Sequence, residues 1–207
     1  MITTKKFALL TLTTLFALTA PMAFGQNARL AAAASEVVDA DIVYDPAYVK
    51  IPYPNGDVDP RTGVCTDVVI RAYRKIGIDL QKLVHEDMRA NFDKYPQNWG
   101  RRGPDANIDH RRVPNLMKFF SRHGDALKIT GNPSDYKPGD IVCWNLSGGI
   151  VHIGIIADRM PEEEAKKPDG RHLIVHNIGG GQVYADRLFE WKIIGHYSYP
   201  KNAAQKP

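Results

Sequence analysis

The chain has 207 residues, of which 43% are hydrophobic and 24% are charged, a composition typical of a soluble globular protein. Its 27 basic and 23 acidic side chains nearly balance, which argues against nucleic-acid binding. The two cysteines, Cys65 and Cys143, are too few for the disulfide framework of a small secreted domain, so they either pair with each other or leave a thiol free for chemistry.

Residues 1–25 have the pattern of a secretory signal peptide. Lys5 and Lys6 precede an apolar stretch at residues 7–20, and Gly25 is a small residue of the kind that a signal peptidase reads. The stretch is shorter than the roughly 20 apolar residues of a membrane-spanning helix, and no later stretch is long and apolar enough to cross a bilayer. We therefore predict export to the periplasm and a mature chain without an integral membrane segment.

The mature chain divides into three parts. Residues 26–43 contain few large side chains, which predicts a linker or a weakly docked helix. Residues 44–200 form the predicted folded domain, and residues 201–207 form a tail. The domain opens with an irregular, extended lead-in at residues 44–59, which are rich in proline, tyrosine and glycine.

Helices are predicted first. From Cys65 onward, apolar residues recur at three- and four-residue spacings, which places them on one helical face, and Gly77 terminates the helix. Thr62 or Gly63 is expected to cap its start. Cys65 then lies in the first turn, where unpaired N–H groups and the helix dipole favour a thiolate. Two further helices are expected over about residues 80–92 and 113–122.

Short β-rich segments follow Gly139. They are separated by turn residues and cover residues 140–146, 151–157, 172–178, 182–185 and 193–199. Helices followed by a meander of strands predict an α+β domain with an antiparallel sheet. Strand alternation turns His152 away from Val151 and Ile153, and His176 alternates likewise with its neighbours.

These residues suggest a nucleophile, a base and an orienting group. An imidazole near a thiol at a helix N-terminus can lower the thiol pKa into the range of roughly 3.5 to 7.5. If the strands of His152 and His176 are neighbours, one histidine can act as the base while the other fixes its orientation. From the residues alone, a packing role for Cys65 and structural roles for both histidines are the commoner interpretation.

Residues 63–80 resemble the catalytic helix of NlpC-type papain-like cysteine peptidases, above all in the Gly-Ile-Asp-Leu at its end. Residues 137–142 and 151–155 resemble the two central strands of that superfamily, and residues 174–176 resemble the strand of its third polar residue. The chain also resembles, over nearly all of its mature length, a narrower family of exported bacterial proteins described as a domain of unknown function. Residues 107–113 contribute to this second resemblance.

The resemblance implies a papain-like fold, with a catalytic cysteine at a helix N-terminus packed on an antiparallel β-sheet. It implies hydrolysis of amide bonds in peptidoglycan stem peptides, with Cys65 as the nucleophile, His152 as the base and His176 orienting it, and with no cofactor or metal. The chain departs from the superfamily at Val64, Thr66 and Asp67, where Asp-Cys-Ser-Gly is common around the nucleophile, and an extra segment separates the two histidines.

Further residues are assigned to substrate binding. The backbone N–H of Cys65 and the hydroxyl of Tyr53 are expected to stabilise the oxyanion. Asp109, His110 and Arg111, with Arg112, form a cluster in the non-periodic stretch of residues 95–112, and long loops of this kind are often functional. Guanidinium groups bind carboxylates through two hydrogen bonds, so the cluster is a candidate substrate site, and the alternative is an internal salt-bridge network.

We therefore expect a monomeric periplasmic cysteine hydrolase, an amidase or endopeptidase whose partner is peptidoglycan or its muropeptides. Four alternatives stay open. His110, His152 and His176 with an acidic ligand would suit a zinc hydrolase. In a cysteine enzyme, His110 would replace His152 as the base. A disulfide between Cys65 and Cys143 would abolish the nucleophile. In the fourth alternative, the protein keeps the fold and binds the cell wall, or acts as an inhibitor, without turnover.

Overall fold

The structure, a computed structural model, describes residues 25–162 and 169–201. The predicted signal peptide, apart from its last residue, lies outside the described residues, as does the predicted tail apart from Lys201. Within the described ranges, every helix is too short or too polar to cross a bilayer.

Four α-helices are present: α1 (Gln26–Glu36), α2 (Cys65–Lys75), α3 (Leu80–Ala90) and α4 (Val113–His123). Short 3₁₀ helices lie at Phe92–Lys94, Asp109–Arg111 and Pro133–Asp135. The three predicted helices correspond to α2, α3 and α4. The Asp79 side chain caps α3 by accepting a hydrogen bond from the Lys82 N–H, and Pro114 lies in the first turn of α4, where a missing N–H costs nothing.

Helix α1 occupies most of the stretch that was predicted to be a linker or a weakly docked helix. Leu30, Ala33 and Ala34 are buried in the main core together with side chains of α2. The small alanines allow close packing, and Gly139 allows it too, because a Cβ at this residue would lie 2.0 Å from the Asn27 carbonyl oxygen. The absence of large side chains therefore reflects a closely packed helix and corrects the expectation of a linker.

The strands form two sheets. β1 (Val43–Tyr44) and β2 (Thr62–Gly63) make a small parallel pair directly before α2. The main sheet contains β3 (Asp125–Ala126), β4 (Ile141–Asn145), β5 (Val151–Ile156), β6 (Ile174–His176), β7 (Val183–Ala185) and β8 (Lys192–Ser198). Its order is β3-β8-β4-β5-β6-β7, and every neighbouring pair is antiparallel. The five predicted strands are β4 to β8, so the α+β organisation with an antiparallel sheet is confirmed.

Both faces of the main sheet are buried. One face packs against the helices through alternate residues such as Cys143, Ile153 and Val175. The other face carries Trp144 and Ile174 and is covered by side chains that include Tyr136, Leu188 and Trp191. Because side chains alternate along a strand, neighbouring residues of β5 serve different faces.

Candidate active site

The first turn of α2 is held by a buried ion pair. Val64, in extended conformation, precedes the helix, and its N–H donates to the Asp67 carboxylate at 2.7 Å. Arg111 donates to both oxygens of Asp67 at 2.9 Å, and it also donates to the carbonyls of Ala47 and Asp45. The expected caps, Thr62 and Gly63, are replaced by Val64 and Asp67, because the acid at the third helical position reaches back to the free N–H.

Cys65 is the first residue of α2 and lines a cleft of about 400 Å³. Its side chain is buried, and the backbone N–H of Ile153 in β5 faces its sulfur. The cleft is lined by Tyr44, Pro46, Val64, Cys65, Asn98, Trp99, Ile108, Arg111, Arg112, Val113, Pro114, Gly149 and Val151. The predicted nucleophile therefore adjoins a space that can hold a ligand.

Burial raises the pKa of the Cys65 thiol to about 12. The N–H groups of Ile153 and Thr66 favour the thiolate, but they oppose only part of the desolvation, and the nearby Asp67 carboxylate adds to the rise. The expectation of a resting thiolate is therefore corrected: at neutral pH the group is a thiol. The position at the helix N-terminus was predictable from sequence, whereas its burial against β5 was not.

We expect Cys65 to react slowly with iodoacetamide at neutral pH and faster as the pH rises above 9, because only the thiolate is alkylated. The rate should be followed by intact mass in a Cys143→Ala variant, so that one thiol reports. The same variant unfolded in urea serves as the control, and its cysteine should titrate near the ordinary value. A rate that is already at its plateau at neutral pH would show that the folded protein holds a thiolate.

The two predicted histidines are in contact. His152 Nε2 lies 2.7 Å from His176 Nδ1, and both side chains are buried. β5 and β6 are neighbours in the sheet, and Gly154 allows their close approach, because a Cβ there would lie 2.9 Å from the Val175 carbonyl oxygen. Burial lowers the pKa of His152 to about 3 and that of His176 to about 4, and the charge of Arg187 contributes to the latter shift. Both imidazoles are therefore neutral at physiological pH.

The Cys65 thiol and the imidazoles of His152 and His176 lie on different sides of strand β5. The rings of His152 and His176 pack with Trp144 and Trp191, on the sheet face away from the helices. Cys65 meets β5 at Ile153, the residue after His152. Within the described ranges, the hydrogen bond of His152 goes to His176 rather than to the thiol. The structure thus brings the two histidines into contact, and it places Cys65 beside the strand that carries His152.

The tyrosine at the cleft is Tyr44 and not Tyr53. Tyr53 is 44% exposed and packs on the ring of His85 in α3 at a centroid distance of 5.1 Å, away from the cleft lining. Tyr44 lines the cleft, and its pKa is raised by burial and by the nearness of Cys65 and Asp67. Only the pairing of β1 with β2 brings Tyr44 to this place, and two-residue strands leave no periodic signal in a sequence.

The predicted substrate-binding cluster is mostly an internal network. Asp109 is buried, its carboxylate accepts a hydrogen bond from the Asp105 N–H, and desolvation raises its pKa. His110 is also buried, with a pKa lowered to about 3, and it does not line the cleft. Arg111 reaches the cleft, but both of its forked donors bind Asp67. Of these residues, Arg112 is the one with a side chain left to face a ligand.

His110, His152 and His176 do not form the ligand set of a metal site. His110 belongs to the 3₁₀ helix before α4, whereas the other two histidines lie within the sheet. In the part of the chain that the structure describes, no three His, Cys, Asp or Glu side chains are arranged to hold a metal ion. The zinc alternative and the alternative of His110 as the base therefore lack the geometry that they require.

Cys143 is a buried thiol of β4 and pairs in register with Ile153. Its pKa is raised by burial and, to a smaller extent, by the proximity of Cys65. Both cysteines are free thiols in the structure, so the disulfide alternative is not the form observed.

The chain is similar to a family of known proteins. The family model described as "Domain of unknown function (DUF1287)" matches residues 31–199. The chain is similar to "Uncharacterized protein YijF" of Escherichia coli (strain K12), with 51% identity over 173 residues, which cover 84% of this chain and 82% of the relative. No solved structure matches the chain significantly.

Proposed function

The chain belongs to the domain-of-unknown-function family DUF1287, and for this member we propose a papain-like, NlpC-type cysteine hydrolase that cleaves amide bonds in the periplasm. The observation that carries the proposal is the position of Cys65 in the first turn of α2, where it lines a cleft and contacts β5, the strand of His152. A thiol at a helix N-terminus with an imidazole on the adjacent strand provides the groups of a cysteine hydrolase. Because the histidine pair packs on the sheet face away from the helices, the proposed reaction requires His152 to turn toward Cys65 when substrate binds.

In the proposed reaction, Cys65 Sγ attacks the amide carbonyl while its proton passes to Nδ1 of His152. The Nε2–H of His152 donates to Nδ1 of His176, which holds the base in the tautomer that accepts at Nδ1. The imidazolium then protonates the leaving amine, and water hydrolyses the thioester with His152 as the base. Because the resting pair is thiol and neutral imidazole, the proton moves during the attack and not before it.

The negative charge that develops on the carbonyl oxygen requires donors at the cleft. The backbone N–H of Cys65 lies at the helix N-terminus, where such donors are unpaired. Tyr44 supplies the second donor in place of Tyr53, because Tyr44 lines the cleft and Tyr53 does not. Both groups are positioned before substrate arrives, since the Asp67–Arg111 pair holds the helix turn and binds carbonyls next to Tyr44.

The proposed substrate is the stem peptide of peptidoglycan. This assignment depends on the resemblance of residues 63–80, 151–155 and 174–176 to NlpC-type enzymes and on the signal-peptide pattern of residues 1–25, which predicts access to the wall. An open cleft with an aromatic side chain, Trp99, at its wall is compatible with an extended peptide.

The proposal is tested by digesting purified peptidoglycan with the protein and identifying the fragments by mass spectrometry. We expect new amino termini from cleavage within the stem peptides. Prolonged treatment with iodoacetamide at alkaline pH should abolish their release, whereas a chelator should not. Release that survives alkylation but is lost with the chelator would overturn the thiol mechanism.

A second candidate function is binding of cell wall without turnover. It is favoured by one observation, the burial that raises the pKa of Cys65 to about 12 and leaves the thiol without an imidazole hydrogen bond in the described chain. Muropeptides that bind the wild-type protein with unchanged mass after long incubation would support this function instead.

A further inference from the structure

The charged side chains that line the cleft are all basic, whereas the basic and acidic side chains of the whole protein nearly balance. Among the residues that line the cleft, the two charged side chains are Arg111 and Arg112, and no lining residue is acidic. The charge of Arg111 is balanced by Asp67 across two hydrogen bonds of 2.9 Å. The remaining positive charge at the cleft belongs to Arg112.

Arg112 is fixed in place by an aromatic ring. Its guanidinium carbon lies 4.0 Å from the centroid of the Trp99 ring, a cation–π contact between two residues that line the cleft. Its side chain is 18% exposed. The Arg112 fork is therefore preorganised and reachable from the cleft.

The acid nearest to Arg112 compensates its charge only in part. Asp109 contacts a single nitrogen, Nη1, at 3.3 Å, and the Asp109 carboxylate also accepts from the Asp105 N–H. Burial lowers the pKa of Arg112, whereas pairing with Asp67 raises that of Arg111. Arg111 and Arg112 thus differ in their hydrogen bonds. The donors of Arg111 are paired within the fold, whereas Arg112 retains donors for a ligand.

We propose that Arg112, stacked on Trp99, is a carboxylate-binding subsite that selects substrates with a free carboxylate beside the scissile amide. This inference rests on the proposed function and specifies its substrate class. A planar guanidinium with two free donors matches the two oxygens of a carboxylate, and a neutral carboxamide cannot accept at both positions. In stem peptides, the α-carboxylate of the γ-linked glutamate is such a group, because it flanks the amides on both sides of that residue.

The test measures binding separately from turnover. A Cys65→Ala variant is titrated by calorimetry with the tripeptide L-alanyl-γ-D-glutamyl-diaminopimelate and with the same peptide carrying a carboxamide on the glutamate. We expect the free acid to bind at least about tenfold more tightly. Adding Arg112→Gln should reduce the preference to about twofold or less, and Arg112→Lys should keep part of it, because the charge remains but the fork is lost.

The matched control is Arg101→Gln, since Arg101 is an exposed arginine of the same loop, pairs with Asp105 and lies outside the cleft lining. It should leave the preference unchanged, and thermal unfolding of every variant checks that the fold is intact. Equal binding of acid and amide, no binding of either, or a preference that survives Arg112→Gln would overturn the subsite. Cleavage of the same peptides by the wild-type protein is scored independently, so that loss of the subsite and loss of the hydrolase proposal are distinguished.

Discussion

Replacing His152 with alanine is expected to lower kcat/KM for amide hydrolysis by about 10³-fold to 10⁴-fold. The expectation follows because a protonated thiol with a pKa near 12 depends on a base at the moment of attack, and His152 is the imidazole on the strand beside it. Initial rates of fragment release from a defined stem peptide give the measurement. A Cys65→Ala/His152→Ala double variant should be no slower than Cys65→Ala alone, because the two groups act as a unit.

The pH profile gives an independent readout of the same base. Burial holds the pKa of His152 at about 3, so the neutral imidazole is present throughout the neutral range. Protonation of His152 should therefore not reduce kcat/KM between about pH 8 and about pH 5.

The control for the His152→Ala substitution is His123→Ala, because this histidine lies at the end of α4 on the ring of Phe119 and outside the cleft lining. Full activity of His152→Ala would remove His152 from the mechanism.

Replacing Asp67 with asparagine is expected to destabilise the fold by about 3–5 kcal/mol. The change keeps the size of the side chain and an oxygen for the Val64 N–H, but it leaves the buried guanidinium of Arg111 without a counter-charge. The free energy of unfolding is measured by urea titration. Activity should fall as well, because the same pair positions the first turn of α2, which contains Cys65.

A double-mutant cycle isolates this pair from other effects of the substitution. Asp67→Asn combined with Arg111→Met should cost much less than the sum of the two single changes, because the unpaired buried charge is then gone. Asp59→Asn is the surface control, since its partner Arg61 has a side chain that is 85% exposed, and its unfolding curve should match that of the wild type. Strict additivity of Asp67→Asn and Arg111→Met would show that the contact contributes nothing.

The spacing of apolar residues predicted the helices and strands that bury one continuous face. Helices α2, α3 and α4 and strands β4 to β8 have apolar residues at the spacings of a helix or a strand, and each was predicted within a few residues of its ends. Helix α1 was predicted only as an alternative to a linker, because alanines carry little periodic signal. The three shortest strands were missed because two residues show no alternation.

The position of a candidate residue within its own helix or strand could be predicted, whereas contacts between residues that are distant in sequence could not. The first-turn position of Cys65 and the strands that carry His152 and His176 follow from local patterns, whereas the pairing of those two strands was only a condition of the prediction. The ion pair of Asp67 with Arg111 joins residues 44 positions apart, and no local rule distinguishes Arg111 from Arg112. The burial that sets the thiol pKa likewise arises from tertiary packing.

The guanidinium of Arg111 joins three separate stretches of chain, namely the helix turn at Asp67, the carbonyls of Asp45 and Ala47, and its own loop before α4. All three stretches supply walls of the cleft, so the cleft forms only when these segments, which are distant in sequence, pack together. If the proposed function holds, the cleft that holds the stem peptide is absent until these segments have folded together, and cleavage begins only in the folded protein.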